Sequence, residues 1–123
     1  MDLPPILIVD DEVDLLQLFK ASLRNLPYPV LTAKDGEAAL QILEEQIPIL
    51  IILDIAMPYI NGVDVLRQVR ADSRFDQTKI IILTAAPSRI SGTDAQLADL
   101  VVSKPITARN MEQTVRQLID GVA

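Results

Sequence analysis

Two stretches, Ile6-Leu7-Ile8-Val9-Asp10-Asp11-Glu12 and Ile49-Leu50-Ile51-Ile52-Leu53-Asp54, decide how the rest of the chain is read. Each is a short, unbroken run of aliphatic residues that stops at a carboxylate. A strand exposed on one face alternates apolar with polar residues, whereas a strand covered on both faces of a parallel sheet is apolar throughout. Ile80 to Leu83 and Leu100 to Val102 have the same character. Pro29 to Ala33 is a weaker strand, and Pro29 and Thr32 place it nearer an edge.

Helical patterns fill the gaps. Residues 13–25 put Leu15, Leu18, Phe19 and Leu23 at helical spacing, and residues 36–45 do so with Ala39, Leu40 and Leu43. Val63, Leu66, Val69 and Arg70 follow Asn61-Gly62 in the same way. Near the C-terminus Met111, Val115, Leu118 and Ile119 form one stripe, with Thr107 placed to cap it. Residues 87–99 are the exception: Pro87, Ser88, Ser91, Gly92 and Thr93 interrupt them, so a short helix is expected there. Five β-α units in succession predict an α/β fold, a doubly wound five-stranded parallel sheet with right-handed crossovers and helices on both faces. No linker or low-complexity segment divides the chain, and residues 1–123 read as one domain.

Composition narrows the chemistry. The 123 residues include no Cys and no His, which removes disulfides, thiolate metal sites and histidine-based catalysis. Any metal site must use carboxylates and a hard cation. A net charge of −6 without a basic cluster argues against direct nucleic-acid binding. The apolar runs are too short to cross a membrane and the N-terminus lacks a signal-peptide pattern, so a cytoplasmic protein is expected.

In sheets of this kind ligands bind beyond the carboxyl ends of the strands. Those ends carry Asp10-Asp11, Asp54, Thr84 and Ser103-Lys104-Pro105. Each has an ordinary explanation: Asp11 as a helix cap, Asp54 as a turn residue, Thr84 as a strand-end residue, Lys104 as a solvated charge. Together they fit those explanations poorly, because gathering three carboxylates costs free energy that a bound dication removes. Magnesium suits such oxygen ligands. An ammonium beside that metal calls for a further anion, and a phosphoryl group can engage the metal, Lys104 and Thr84 at once.

The chain resembles the receiver domain of two-component response regulators over essentially its whole length. The resemblance is carried by Ile6 to Glu12, Ala33-Lys34-Asp35-Gly36-Glu37-Ala38-Ala39-Leu40, Leu53-Asp54-Ile55-Ala56-Met57-Pro58 with Asn61-Gly62, Ile82-Leu83-Thr84-Ala85, and Lys104-Pro105, all in order. It implies the flavodoxin-like strand order 2-1-3-4-5 and a cis peptide at Lys104-Pro105. It implies that Asp54 accepts a phosphoryl group from the phosphohistidine of a sensor kinase or a phosphotransfer protein. Asp10, Asp11, Asp54 and the backbone carbonyl of Ala56 would hold magnesium or manganese, while Thr84 and Lys104 would engage the phosphoryl group. The small side chain of Ala85 would leave the phosphoryl site open. Such a domain catalyses only its own phosphorylation and dephosphorylation, signals by altered docking to an effector, and in some settings dimerises on phosphorylation. No output domain is read in this chain.

Departures from the family pattern are expected to matter. Val101 stands where the family carries an aromatic residue on strand 5, so the usual inward swing of a ring behind Thr84 is missing. The segment from Thr84 to Lys104 is short and lacks a Gly before strand 5, in keeping with a reduced helix 4. Neither Ala56 nor Ala86 can position an attacking water, which predicts a long-lived acyl phosphate. Leu16 falls off the apolar stripe of the first helix with Val13 on a nearby face, and the resemblance suggests a kinase-docking patch there. Three other readings fit less well. A magnesium-dependent phosphatase with an Asp nucleophile needs a second Asp where Ala56 stands. An interaction module without phosphorylation leaves the acidic cluster unexplained. A nucleotide or flavin site needs a Gly-rich loop where Asp10 and Asp11 stand.

Overall fold

The computed structural model describes residues 3–55 and 62–121. Its elements alternate as anticipated: β1 (Ile6–Val9), α1 (Val13–Ser22), β2 (Val30–Ala33), α2 (Gly36–Glu45), β3 (Leu50–Asp54), α3 (Gly62–Arg70), β4 (Lys79–Thr84), α4 (Gly92–Leu97), β5 (Leu100–Ser103) and α5 (Ala108–Asp120). Short 3-10 turns at Ser73–Phe75 and Pro87–Arg89 flank β4. The strands form one parallel sheet in the order β2-β1-β3-β4-β5.

Alternate residues of the inner strands feed two cores, because successive side chains point to opposite faces. Leu7, Val9, Ile51, Leu53, Ile80 and Ile82 pack with Ala39 and Leu43 of α2, with Val65, Leu66 and Val69 of α3, and with Phe75. On the other face Ile6, Ile8, Leu50, Ile52, Ile81 and Leu83 pack with Leu16, Phe19 and Leu23 and with Met111 and Val115 of α5. β1 and β3 are buried throughout, as their unbroken apolar sequences require.

Four expectations need correction. β5 is an edge strand with Leu100 38% exposed, and its apolar sequence does not mark burial on both faces. The first helix stops at Ser22 instead of continuing to residue 25. Its buried stripe includes Leu16, only 5% exposed, while Leu18 is 46% exposed. Leu16, Phe19 and Leu23 share one face that meets Met111 and Val115, and the position of α5 selects that face over the one carrying Leu18. Leu16 is therefore core and cannot form a docking patch, although Val13 is exposed. The strand expected from Ile49 begins at Leu50.

Local signals fix several helix starts. Asp35 accepts from the Ala38 N–H at 2.7 Å and caps α2. Thr107 accepts from the Asn110 N–H at 3.1 Å and caps α5, as its sequence position suggests.

Candidate functional site

Strand register brings the candidate residues together. Val9 lies beside Leu53 and so sets Asp10 level with Asp54 on the adjacent strand. Leu83 pairs with Asp54, and Thr84 pairs with Ser103, which puts Thr84 and Lys104 on the same rim. Asp10 and Asp54 are 1% and 3% exposed, Thr84 is buried, and Asp11 faces solvent. Carboxylate oxygens of Asp10, Asp11 and Asp54 lie within 4.8 Å of one another, a separation that one metal ion can span.

Asp10 is held from two sides. The Glu12 N–H donates to Oδ1 at 2.9 Å, and Lys104 Nζ donates to Oδ2 at 3.2 Å. Lys104 Nζ also lies 3.3 Å from Asp54 Oδ2, so one ammonium bridges two buried carboxylates. Burial pushes the Asp10 carboxyl above the usual carboxylate range, and the negative charge of Asp54 adds to the effect against the Glu12 N–H and Lys104. Burial alone would lower the Lys104 ammonium, but Asp54 and Asp10 together outweigh it and raise the group. The balance is that of a site short of positive charge. Its donors are hard oxygens, which fit magnesium in both type and number.

The backbone around the rim is tightly placed. The Lys104 N–H donates to the Thr84 carbonyl at 2.8 Å, and the Lys104-Pro105 peptide is cis, as the resemblance implied. Thr84 Oγ1 accepts from the Ala86 N–H at 3.0 Å, which leaves its own proton free to donate. Gly62 is required at the start of α3: a Cβ there would stand 2.5 Å from the Asp54 carbonyl oxygen and from Ile55 Cα. An apolar cavity of about 330 Å³ opens beside Lys104, lined by Leu15, Phe19, Ala85, Pro105 and Ile106 among others.

Asp10, Asp11, Asp54, Thr84 and Lys104 thus share one rim, while Ala56 lies outside the described residues. Asp11 does not cap α1, because Glu12 is the cap residue and no side chain closes that end. Val101 is half-buried beside Ile82 and packs on the core with Ile90, Leu97 and Ala98. Sequence reasoning missed the charged contacts between α3 and α4. Arg67 donates to both oxygens of Asp94 at 3.0 and 2.8 Å, and Arg70 reaches the Leu97 carbonyl at 2.7 Å. No local signal announces partners so far apart in the chain.

Known proteins share both this pattern and this fold. Residues 6–116 match the family described as the response regulator receiver domain. The "Probable transcriptional regulator ycf27" of Guillardia theta is 37% identical over 117 residues, covering 93% of this chain and 44% of that protein. The transcriptional regulatory protein AfsQ1 of Streptomyces coelicolor is 35% identical over 120 residues, covering 95% of this chain and 52% of that protein. The chain therefore spans about half the length of the curated relatives it matches. Among solved structures, the response regulator TrrA of Thermotoga maritima, in complex with Mg(2+)-BeF, superposes with a TM-score of 0.81 at 34% identity, over 94% of this chain and 99% of that one. The chemotaxis response regulator CheY4 of Vibrio cholerae superposes with a TM-score of 0.80 at 27% identity, over 94% and 98%. The chain belongs to the response regulator receiver family.

Proposed function

We propose that Asp54 is the phosphoacceptor of this receiver and that Asp10, Asp11 and Asp54, with the backbone carbonyl of Ala56, hold magnesium. Manganese has the same ligand preference and would serve in its place. The observation that carries the reading is the bridging of Asp10 and Asp54 by Lys104 in a cluster still dominated by negative charge. Bound magnesium supplies charge neutralisation at the phosphoryl oxygens.

The chain's own residues do the rest. An Asp54 carboxylate oxygen forms a bond to phosphorus as the P–N bond of a phosphohistidine breaks, and the imidazole departs. Lys104, already poised between the two carboxylates, turns from Asp54 to the incoming phosphoryl oxygens and keeps their charge balanced. The Thr84 hydroxyl donates its free proton to the phosphoryl group while still accepting from the Ala86 N–H. Orientation and electrostatics do the work, because Asp54 is a weak nucleophile.

The donor on this reading is a sensor histidine kinase or a phosphotransfer protein, and the recipient of the signal is an effector protein or domain. A phosphorylation-linked dimer is compatible with it, while direct nucleic-acid contact by this domain is not part of it. The domain turns over no substrate besides its own phosphoryl group, and it works in the cytoplasm. No helix of the described residues is long and apolar enough to cross a membrane.

Incubation with magnesium and a small-molecule phosphodonor, read by intact mass, tests the assignment. One phosphate should add to the wild type, and none to Asp54→Asn or in excess chelator. Failure of the wild type to accept phosphate from any donor or kinase would overturn it in favour of a constitutive docking module.

A further inference from the structure

The segment between β4 and β5 is held at two points. At its start, the Ala86 N–H is bonded to the Thr84 hydroxyl, so this end is tied to a side chain of the site. The 3-10 turn Pro87–Arg89 follows, and then α4. α4 has six residues, and a helix of that length does not persist alone, because its few hydrogen bonds do not offset the cost of nucleation. Its far anchor is external. Besides the Ser91 cap on the Asp94 N–H, α4 is gripped by Arg67 in a two-pronged pairing with the buried Asp94, and by Arg70 at the Leu97 carbonyl.

The helix that grips α4 is itself fixed. Gly62 sits against the Asp54 and Ile55 backbone, its N–H donates to the Ile55 carbonyl at 3.3 Å, and Val65, Leu66 and Val69 are buried in the core. The segment from Ala86 through α4 is therefore fastened at its start to a side chain of the phosphoacceptor rim and at α4 to a helix locked on the sheet. With Val101 on β5, no aromatic ring is present there to follow Thr84.

We propose that the Arg67–Asp94 pair is a latch set against the phosphorylation response of α4, an inference that rests on Asp54 being the phosphoacceptor. As Thr84 turns toward a phosphoryl group it draws on Ala86 and the turn leading into α4, and the latch opposes the displacement. A contact stronger in the unphosphorylated state lowers the affinity of the site for the phosphoryl group by the same factor that the phosphoryl group weakens the contact.

Magnesium and beryllofluoride, the combination carried by the TrrA structure, provide the probe. Calorimetric titration of the wild type, Arg67→Gln, Arg67→Lys and Asp94→Asn should show roughly fivefold tighter binding in the Gln and Asn variants, with Lys in between. Their residues 91–98 should exchange amide protons faster than the wild type before the probe is added and at the same rate afterwards. A purely structural role would speed exchange without tightening binding. If the wild type binds and neither Arg67→Gln nor Asp94→Asn binds more tightly, the latch is wrong and the phosphoacceptor assignment stands. If the wild type fails to bind, or binds no better than Asp54→Asn, the assignment falls and the latch falls with it.

Discussion

Two charged clusters in this molecule are built on opposite plans. At the carboxyl ends of the strands, Lys104 bridges the buried Asp10 and Asp54 while Asp11 stands exposed nearby. Beside α3, Arg70 meets the carbonyls of Leu97, Phe75 and Thr78 and the carboxylate of Asp99 with four hydrogen bonds of 2.7 to 3.1 Å. Asp99 is satisfied in turn by the Ile80 N–H at 2.8 Å. The second cluster is balanced and closes the joint between α3, β4 and β5. The first is short of positive charge, and burial, with the Asp54 charge adding to it, pushes its Asp10 carboxyl above the usual range. Charge that the fold leaves unbalanced at a buried rim marks a place for a ligand, whereas balanced charge marks a structural joint.

The contrast predicts effects of opposite sign. Arg70→Met should destabilise the protein by about 2–4 kcal/mol, because it strands the Leu97, Phe75 and Thr78 carbonyls and takes one partner from the Asp99 carboxylate. Urea denaturation would show a lowered midpoint with an unchanged slope, and an unaltered midpoint would break the comparison. Asp10→Asn should stabilise the metal-free protein and raise its urea midpoint, since it removes a carboxylate that burial and the Asp54 charge disfavour. The same variant should gain less from added magnesium than the wild type, because a ligand stabilises only in proportion to its affinity. Loss of stability in metal-free Asp10→Asn would mean that Lys104 already balances the rim.

The smallest effect concerns the Arg67–Asp94 pair, which is half-open to solvent. The Arg67 guanidinium holds the Asp94 carboxyl below the usual carboxylate range. A depressed carboxyl contributes stability that is present above its unfolded pKa and is lost as pH falls through the folded value. The stability gap between wild type and Asp94→Asn should therefore be open near neutrality and close in acid below the ordinary Asp range. It should also narrow with salt. A gap independent of both would show that Asp94 acts through packing and not through charge.

The rim was legible before the structure because every one of its residues ends or follows an apolar run. Once parallel strands are recognised, their carboxyl ends must lie together, and Asp10, Asp54, Thr84 and Lys104 come with them. The α3–α4 contacts had no such handle: Arg67 and Asp94 lie in different helices and are ordinary helix-surface residues when read alone. Leu16 and Leu18 show the same limit within one helix. The stripe read from the sequence took Leu18 and left out Leu16, and the position of α5 reverses that choice.

Sequence by itself determined the element order, the parallel sheet, the cap at Thr107, and the gathering of acids at one rim. These follow from local periodicity, from capping chemistry, and from the rule that parallel strands share an end. Only the tertiary structure decided that the apolar β5 is partly exposed, that Leu16 is core, that Lys104 bridges Asp10 and Asp54, and that a six-residue α4 is held by arginines of α3. Each of those depends on which distant surfaces meet, and contact between distant surfaces leaves no periodic trace in the chain.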